Sequence, residues 1–371
     1  MAFDALKLAV PGVRGLQPYI PGKPIEELQR EYGVTNVIKL ASNENPLGPS
    51  PMALAAAQAA LAEIARYPDG GGFALKRALA DKLGVQSEQI TLGNGSSDVI
   101  EFAVRTFLAP GDEALFSQHA FAMYPIITQA IGAQGVEVPA RDWGHDLDAM
   151  ARALTARTKL VFITNPNNPT GTWLGRTALR AFLERVPAHV MVVLDEAYFE
   201  YVSESDYPDG IAWLGDFPNL IVARTFSKVY GLAGLRVGYC VSSVAVADLL
   251  NRVRPPFNVN SLAMAAAVAA LGDVAHLKKT QQTNADGMRQ LVQGFARLGL
   301  AHIPSAGNFV CVEVGAAGQV YENLLHAGVI VRPVANYGMP RHLRVTVGLA
   351  NENQRFLEAL QAALGRHPLH D

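Results

Sequence analysis

Between residues 89 and 223 the chain alternates short apolar, β-rich runs with stretches of helix formers, and this alternation constrains the fold more than any other feature. Residues 89–92, 113–116, 135–138, 159–164, 190–194 and 220–223 read as strands; residues 96–107, 122–131, 147–154 and 177–184 read as helices between them. Apolar runs this short, with no polar face, are buried on both sides, as parallel strands are beneath crossover helices. The expectation is an α/β domain with a mainly parallel sheet covered by helices.

Two flanking regions break the pattern. Pro11, Gly12, Gly15, Pro18, Pro21, Gly22 and Pro24 make the start of the chain read as an extended arm lying on something else. An alanine-rich helix follows over 52–65. After Arg252-Val253-Arg254-Pro255-Pro256 the chain turns to helix formers over 261–298, interrupted at Gly272-Asp273. Beyond it come a strand (309–314), a helix (320–326), strands at 329–332 and 343–347, and a final helix (352–364). Asn351 reads as the N-cap of that helix, with Gln354 closing a capping box. A chain of 371 residues has room for two domains. The division read here is an arm over 1–42, a large domain over 43–255 and a smaller α+β domain over 256–371.

Composition removes several function classes. Lys+Arg 31 against Asp+Glu 33 gives a net charge of −2, which offers no electrostatic footprint for nucleic acid or an anionic membrane. The longest apolar stretch, 262–271, is mostly alanine and too short to span a bilayer. The opening residues carry an early acid and no long apolar core, so no targeting segment is expected and the cytoplasm is the expected compartment. Cys240 and Cys311 each lie in an apolar run and form no disulfide framework. Nine scattered histidines without a His-Glu-x-x-His spacing give no reason to expect a metal.

Ligands of open α/β sheets gather at the carboxyl ends of the strands. Three such ends carry polar clusters: Asn165-Pro166-Asn167-Asn168-Pro169-Thr170-Gly171, Asp195-Glu196-Ala197-Tyr198, and Arg224-Thr225-Phe226-Ser227-Lys228. Singly, each reads as a turn, a cap or a solvated loop. A dinucleotide fingerprint at Gly93-Asn94-Gly95 fails, because the third glycine is missing.

Taken in order, with Arg236 eight positions after Lys228 and a late Arg344, these motifs resemble the fold-type I pyridoxal-phosphate aminotransferases over nearly the whole chain. The resemblance implies pyridoxal 5'-phosphate as cofactor, bonded covalently through its aldehyde to Lys228, whose freed amine then moves the substrate's proton. It places Asp195 against the pyridine nitrogen, and Tyr198 and Asn168 on the cofactor's phenolic oxygen. Gly95, Ser96 and Ser97, opening the 96–107 helix, would hold the phosphate together with Thr225, Ser227 and Arg236. Phe121 takes the place of the aromatic that stacks on the ring, and Tyr67 matches a tyrosine that reaches the phosphate of a partner subunit, implying a homodimer.

Further motifs are similar to the histidinol-phosphate branch of that family. They are Gln17-Pro18-Tyr19 with Pro21-Gly22-Lys23-Pro24, then Leu40-Ala41-Ser42-Asn43-Glu44-Asn45-Pro46, and Gly328-Val329-Ile330-Val331-Arg332-Pro333. This resemblance implies transamination between histidinol phosphate and 2-oxoglutarate, giving imidazole acetol phosphate and glutamate, in histidine biosynthesis. A phosphate dianion is best held by two guanidinium groups with hydroxyl or amide donors. Arg332, Arg344, Tyr19 and Asn43 are the candidates for that task. Aromatic amino-acid transamination and threonine-phosphate decarboxylation on the same fold stay open.

Overall fold

The alternating runs pair into one seven-stranded sheet. The structure, a computed structural model, describes residues 3–365. In spatial order the strands are Ile90–Gly93, Gly238–Val241, Leu220–Thr225, Met191–Asp195, Thr158–Thr164, Glu113–Ser117 and Gln134–Val138. Neighbours run parallel except at Gly238–Val241, which is antiparallel to both strands beside it. The apolar run around Cys240 turns back because the loop over 226–237, which carries one 3-10 turn at Ala233–Leu235 and no crossover α-helix, separates it from Leu220–Thr225.

Alternation of side chains splits the core in two. Val161, Ile163, Val192 and Leu194 pack on one face of the sheet, and Leu160, Phe162, Val193 and Ile221 on the other. All eight are fully buried. Burial of both faces is what made these strands read as uninterrupted apolar runs.

The helix Ser261–Gly272 lies against Pro51–Ala60 and Phe73–Leu83. Ala53 and Ala57 meet Ala263, Ala266, Ala267 and Ala270 there, and small side chains let helix backbones approach closely. Residues 261–272 therefore share the core of the sheet. Asp273 then caps the next helix by accepting from the His276 N–H, and the chain bends by 81° into Val274–Arg297. That long helix leads to the second core, where Leu291 and Phe295 pack with Phe356 and Leu360.

The second core rests on a four-stranded antiparallel sheet, ordered Arg332–Pro333, His342–Thr346, Phe309–Glu313, His302–Ile303. Residues 329–332, expected as one strand, divide at Val331. Val329–Ile330 pairs in parallel with Ile38–Lys39, and Arg332 joins the antiparallel sheet. The last helix, Ala350–Ala363, also starts earlier than its polar residues suggested: Glu352 accepts from the Leu349 N–H at 2.7 Å, while Gln354 donates to Glu358. Asn351 is not the cap.

The arm is not simply extended. It forms helices Ala5–Leu8, Pro11–Arg14 and Ile25–Tyr32, with Gly12 inside the second and Pro18, Pro21 and Gly22 in the link before the third. Pro11 occupies the first turn, where its missing N–H costs nothing, and Gly33 closes the third helix in the left-handed region at φ 65°. Among the described residues no single helix is long and apolar enough to cross a membrane.

Candidate active site

Strand ends, the arm and the antiparallel sheet enclose a cleft of about 1020 Å³ counting its open mouth. Asp195 ends its strand and Thr225 ends the neighbouring one, and both line the cleft. Their neighbours in sequence, Glu196 and Arg224, point elsewhere and pair with each other. Arg224 donates from Nε at 2.9 Å and Nη2 at 2.7 Å to Glu196 Oε2, and Gly210 donates its N–H to Oε1. Both side chains are buried, so the pair fixes the two strand ends relative to one another beneath the cleft.

Lys228 follows in the loop after Thr225. Its Nζ donates to the Ser42 carbonyl at 3.1 Å. Burial, then the nearby Arg344 and Arg236 charges, push its amine down to about 8, against the opposing pull of Glu44 and Asp195. An amine so placed is about one-tenth neutral at pH 7, far more than an ordinary lysine, and that fraction is nucleophilic and basic.

Asp195 is only 4% exposed, and burial pushes its carboxyl up to about 6. The Tyr124 hydroxyl, the Ala197 N–H and the Lys228 charge oppose that rise. Tyr124 donates to Oδ2 at 3.0 Å, and Ala197 donates to Oδ1 at 3.1 Å. Tyr124 is itself fully buried, stacked on Phe162 at 4.3 Å and met by Thr164 Oγ1 at 2.7 Å. With its single proton given to Asp195, the tyrosine oxygen accepts from Thr164. Sequence reasoning passed over Tyr124, although it lies three positions after Phe121. Phe121 precedes the helix Met123–Ala130, its carbonyl accepts from the Tyr124 N–H, and that turn brings the two rings 5.7 Å apart and edge to face.

At one end of the cleft the helix Ser96–Phe107 begins without a side-chain cap. Gly95 precedes it at φ 89°, and a Cβ there would lie 2.4 Å from Arg236 Nη2. A Cβ on Gly238 would lie 2.4 Å from the Ser96 nitrogen. Two glycines thus let a guanidinium and a strand close on free helix N–H groups, which is a cradle for an anion. Ser96, Ser97, Thr225, Ser227 and Arg236 all line it. Gly95 shapes the cradle from outside the lining.

The other end is built by the antiparallel sheet. Arg332 and Arg344 are paired positions on adjacent strands, so both project from the same face. Like charges placed opposite each other repel unless an anion lies between them. Both are nearly buried. Arg344 donates to Asn168 Oδ1 at 2.5 Å and to the Ala41 carbonyl at 2.7 Å, and its buried Nε has no protein partner among the described residues. Arg332 donates to the Ile20 carbonyl at 2.6 Å and lies 5.7 Å from the Tyr19 ring, which meets Phe121 edge-on at 6.5 Å.

Two residues have other partners within this chain. Asn43, at φ 55°, has its amide engaged already: Nδ2 donates to the Tyr198 hydroxyl at 2.9 Å and Oδ1 accepts from Thr346. It borders the cleft but orients Tyr198, leaving that hydroxyl's proton available to a ligand. Burial pushes the Tyr198 phenol well above its ordinary range, so it stays a donor. Tyr67 lies outside the cleft, 83% exposed and stacked on Phe257 at 4.8 Å.

A protonated-ring acceptor at Asp195, a lysine with a lowered pKa, and a phosphate cradle define a site for an aromatic phosphorylated aldehyde used in amino-group chemistry. The chain belongs to the class I and II aminotransferases, whose family pattern matches residues 35–360. Within that class its similarity is to histidinol-phosphate aminotransferases. Histidinol-phosphate aminotransferase 2 of Pseudomonas fluorescens Pf-5 is 61% identical over 369 residues, 99% of this chain and all of its own. That of Pseudomonas aeruginosa is 60% identical over 364 residues, 97% of this chain and 99% of its own. The crystal structure of the Sinorhizobium meliloti histidinol-phosphate aminotransferase in complex with pyridoxal-5'-phosphate superposes with a TM-score of 0.89 at 32% identity, covering 96% of this chain and 97% of its own. The fold extends to Thermus thermophilus aspartate aminotransferase with maleate, at TM-score 0.82 and 22% identity over 95% of this chain and 99% of its own.

Proposed function

We propose that this chain uses pyridoxal phosphate to move an amino group between histidinol phosphate and 2-oxoglutarate, giving imidazole acetol phosphate and glutamate in histidine biosynthesis. When bound, the cofactor supplies an aldehyde that exchanges with amines and a ring that accepts the electron pair freed at the substrate's α-carbon. The uncapped helix start and Arg236 would hold its phosphate, Phe121 its face, and Asp195 its ring nitrogen. Lys228 would hold it covalently, and its released Nζ carries the proton leaving the substrate's α-carbon. Tyr198 keeps its proton and donates it, with Asn43 fixing the ring's direction. Arg344 accounts for one carboxylate of glutamate in the other half of the cycle.

The observation that carries the substrate reading is the register of Arg332 opposite Arg344, two guanidinium groups on one face at the mouth of the cleft. A monoester dianion satisfies both; a phenyl ring satisfies neither. The test is incubation of purified enzyme with histidinol phosphate and 2-oxoglutarate. Glutamate should accumulate. No glutamate, beside efficient turnover of phenylalanine or tyrosine, would overturn the assignment.

A cytoplasmic homodimer completes the reading. Residues 61–73 expose Leu61, Ile64, Tyr67 and Phe73, an apolar edge that a second copy would cover while Tyr67 reaches the neighbouring phosphate. Tyr67→Phe should then weaken cofactor retention without lowering the melting temperature of the cofactor-free protein. Unchanged retention would count against a shared site.

A further inference from the structure

The strands that carry Arg332 and Arg344 are joined by a loop whose 3-10 turn, Ala335–Tyr337, is held by a residue the proposed chemistry does not use. His119 Nδ1 lies 2.5 Å from the Tyr337 carbonyl. A carbonyl only accepts, so Nδ1 carries the proton and donates it. The His119 ring is buried and packs 5.4 Å from the Trp143 ring, which meets His342 edge-on at 5.0 Å. His119 also has a left-handed backbone at φ 58°, and its own carbonyl accepts from Asn167 Nδ2 at 3.1 Å. Residues other than glycine seldom adopt that conformation, and they keep it where surrounding contacts impose it.

His119 thus faces two ways. Along the chain, two residues on, stands Phe121, which lines the cleft. The next residue, Ala122, packs against the cluster of Tyr337 with Cys311, Val334 and Met339. The segment 119–122 therefore grips Tyr337 on either side of Phe121. Across the hydrogen bond, Tyr337 belongs to the connection between Arg332 and Arg344. The antiparallel sheet has other ties to the loops of the large sheet: Arg344 donates to Asn168 Oδ1, and Cys311 Sγ donates to the Pro169 carbonyl at 3.0 Å. Those ties hold the strands; His119 holds the turn between them.

We infer that His119 is a positioning residue, whose hydrogen bond to Tyr337 sets the spacing between Phe121, on which the cofactor's ring would stack, and the two arginines proposed for the substrate's phosphate. This rests on the proposed function and deepens it. Histidinol phosphate must reach the cofactor with its amine and the arginines with its phosphate at once. A grip that drifts relative to the cofactor loses part of what the phosphate contributes. Histidinol has the same ring and amine but no phosphate, so the drift costs it little.

The experiment compares histidinol phosphate with histidinol in the wild-type enzyme and in His119→Gly and His119→Asn. Glycine accepts the positive φ and removes only the side chain. Asparagine also tolerates that φ, and its amide N–H donor sits two bonds beyond Cβ, where Nδ1 of the histidine stands. In His119→Gly the ratio of kcat/KM for the two substrates should fall about tenfold, through KM for histidinol phosphate, with histidinol changed by no more than about twofold. His119→Asn should restore most of the ratio. A second readout needs no cofactor. The Tyr337, Gly338 and Met339 amides bond within the turn, and in the cofactor-free protein their hydrogen exchange should run about tenfold faster in His119→Gly and near the wild-type rate in His119→Asn. A ratio unchanged within about twofold, an equal loss for both substrates, unchanged exchange, or His119→Asn no better than His119→Gly each overturns the inference. No turnover of histidinol phosphate by the wild type would overturn the proposed function and the substrate half of this inference; the exchange rates alone then decide whether His119 holds the turn.

Discussion

The two ends of the cleft are made differently. At the cofactor end, Asp195 and Thr225 sit on strand ends of one sheet and Ser227 and Lys228 in the loop that follows, with the strand ends locked from beneath by the Glu196–Arg224 pair. Both oxygens of Asp195 there already have protein donors, while the uncapped helix start keeps its N–H groups for an anion. At the substrate end, Arg332 and Arg344 come from another sheet, and Tyr19 comes from the arm and remains 42% exposed. Reacting groups are thus preorganised on a rigid frame, while selectivity is carried by elements that fold around a different core. If the division is real, substitutions at the first end should reduce kcat whatever the substrate, and those at the second should raise KM for particular substrates.

The largest effect tests the first half. Lys228→Ala should reduce turnover by about 10⁴-fold or more, because both the covalent anchor and the proton carrier are lost. Borohydride should then fail to fix the cofactor to the chain. Residual activity within tenfold of wild type would mean that another group moves the proton.

Asp195→Asn comes next. The amide is nearly isosteric and can still bond to Tyr124 and Ala197, so the fold should hold. It cannot stabilise a protonated ring nitrogen, and kcat should fall by about 10³-fold for glutamate and histidinol phosphate alike. Unequal losses for the two substrates would break the division drawn above.

Arg332→Ala probes the other half. The guanidinium holds the Ile20 carbonyl and faces the Tyr19 ring, so its loss frees the arm as well as removing one phosphate contact. KM for histidinol phosphate should rise by about thirtyfold or more, with a much smaller change for glutamate. Arg332→Lys should rescue only part, since an ammonium cannot reproduce the planar fork. Equal effects on both substrates would make Arg332 a support for the arm and nothing more.

How much of this was legible from the residues follows the same line. Lys228, Asp195, Tyr198 and Arg236 lie in short local motifs, and it is the order of those motifs that resembles the fold-type I aminotransferases. The pairing of Arg332 with Arg344 depends on a strand break at Val331 and an antiparallel register, which no local pattern discloses. The engagement of Asn43 by Tyr198 and Thr346 joins segments 155 and 303 residues apart. The fate of 261–272 was hidden for a related reason: an alanine helix has no polar face to say which core receives it, and only its fit against Ala53 and Ala57 decides.

Tyr124→Phe gives the smallest effect and the sharpest view of the cofactor end. The ring can keep its stack on Phe162, so what disappears is one hydroxyl donor to Asp195. Asp195 titrates at about 6 in the folded protein against 3.8 ordinarily, because burial favours the neutral acid. Between those values the cofactor-free folded state binds more protons than the unfolded one. The contribution of Asp195 to stability is therefore full below 3.8 and lost as pH rises through 6. Pairing with a protonated ring nitrogen needs the ionised carboxylate, so cofactor affinity should rise through the same interval. Without the tyrosine donor the carboxyl's pKa climbs further and the rise moves to higher pH. At pH 6 the variant should bind the cofactor about fivefold more weakly. At pH 8, where Asp195 is ionised in both proteins, the gap should close. Thr164→Val, which leaves the hydroxyl but removes the group that orients it, should fall between the two. A uniform loss of affinity at both pH values would mean that Tyr124 only fills space.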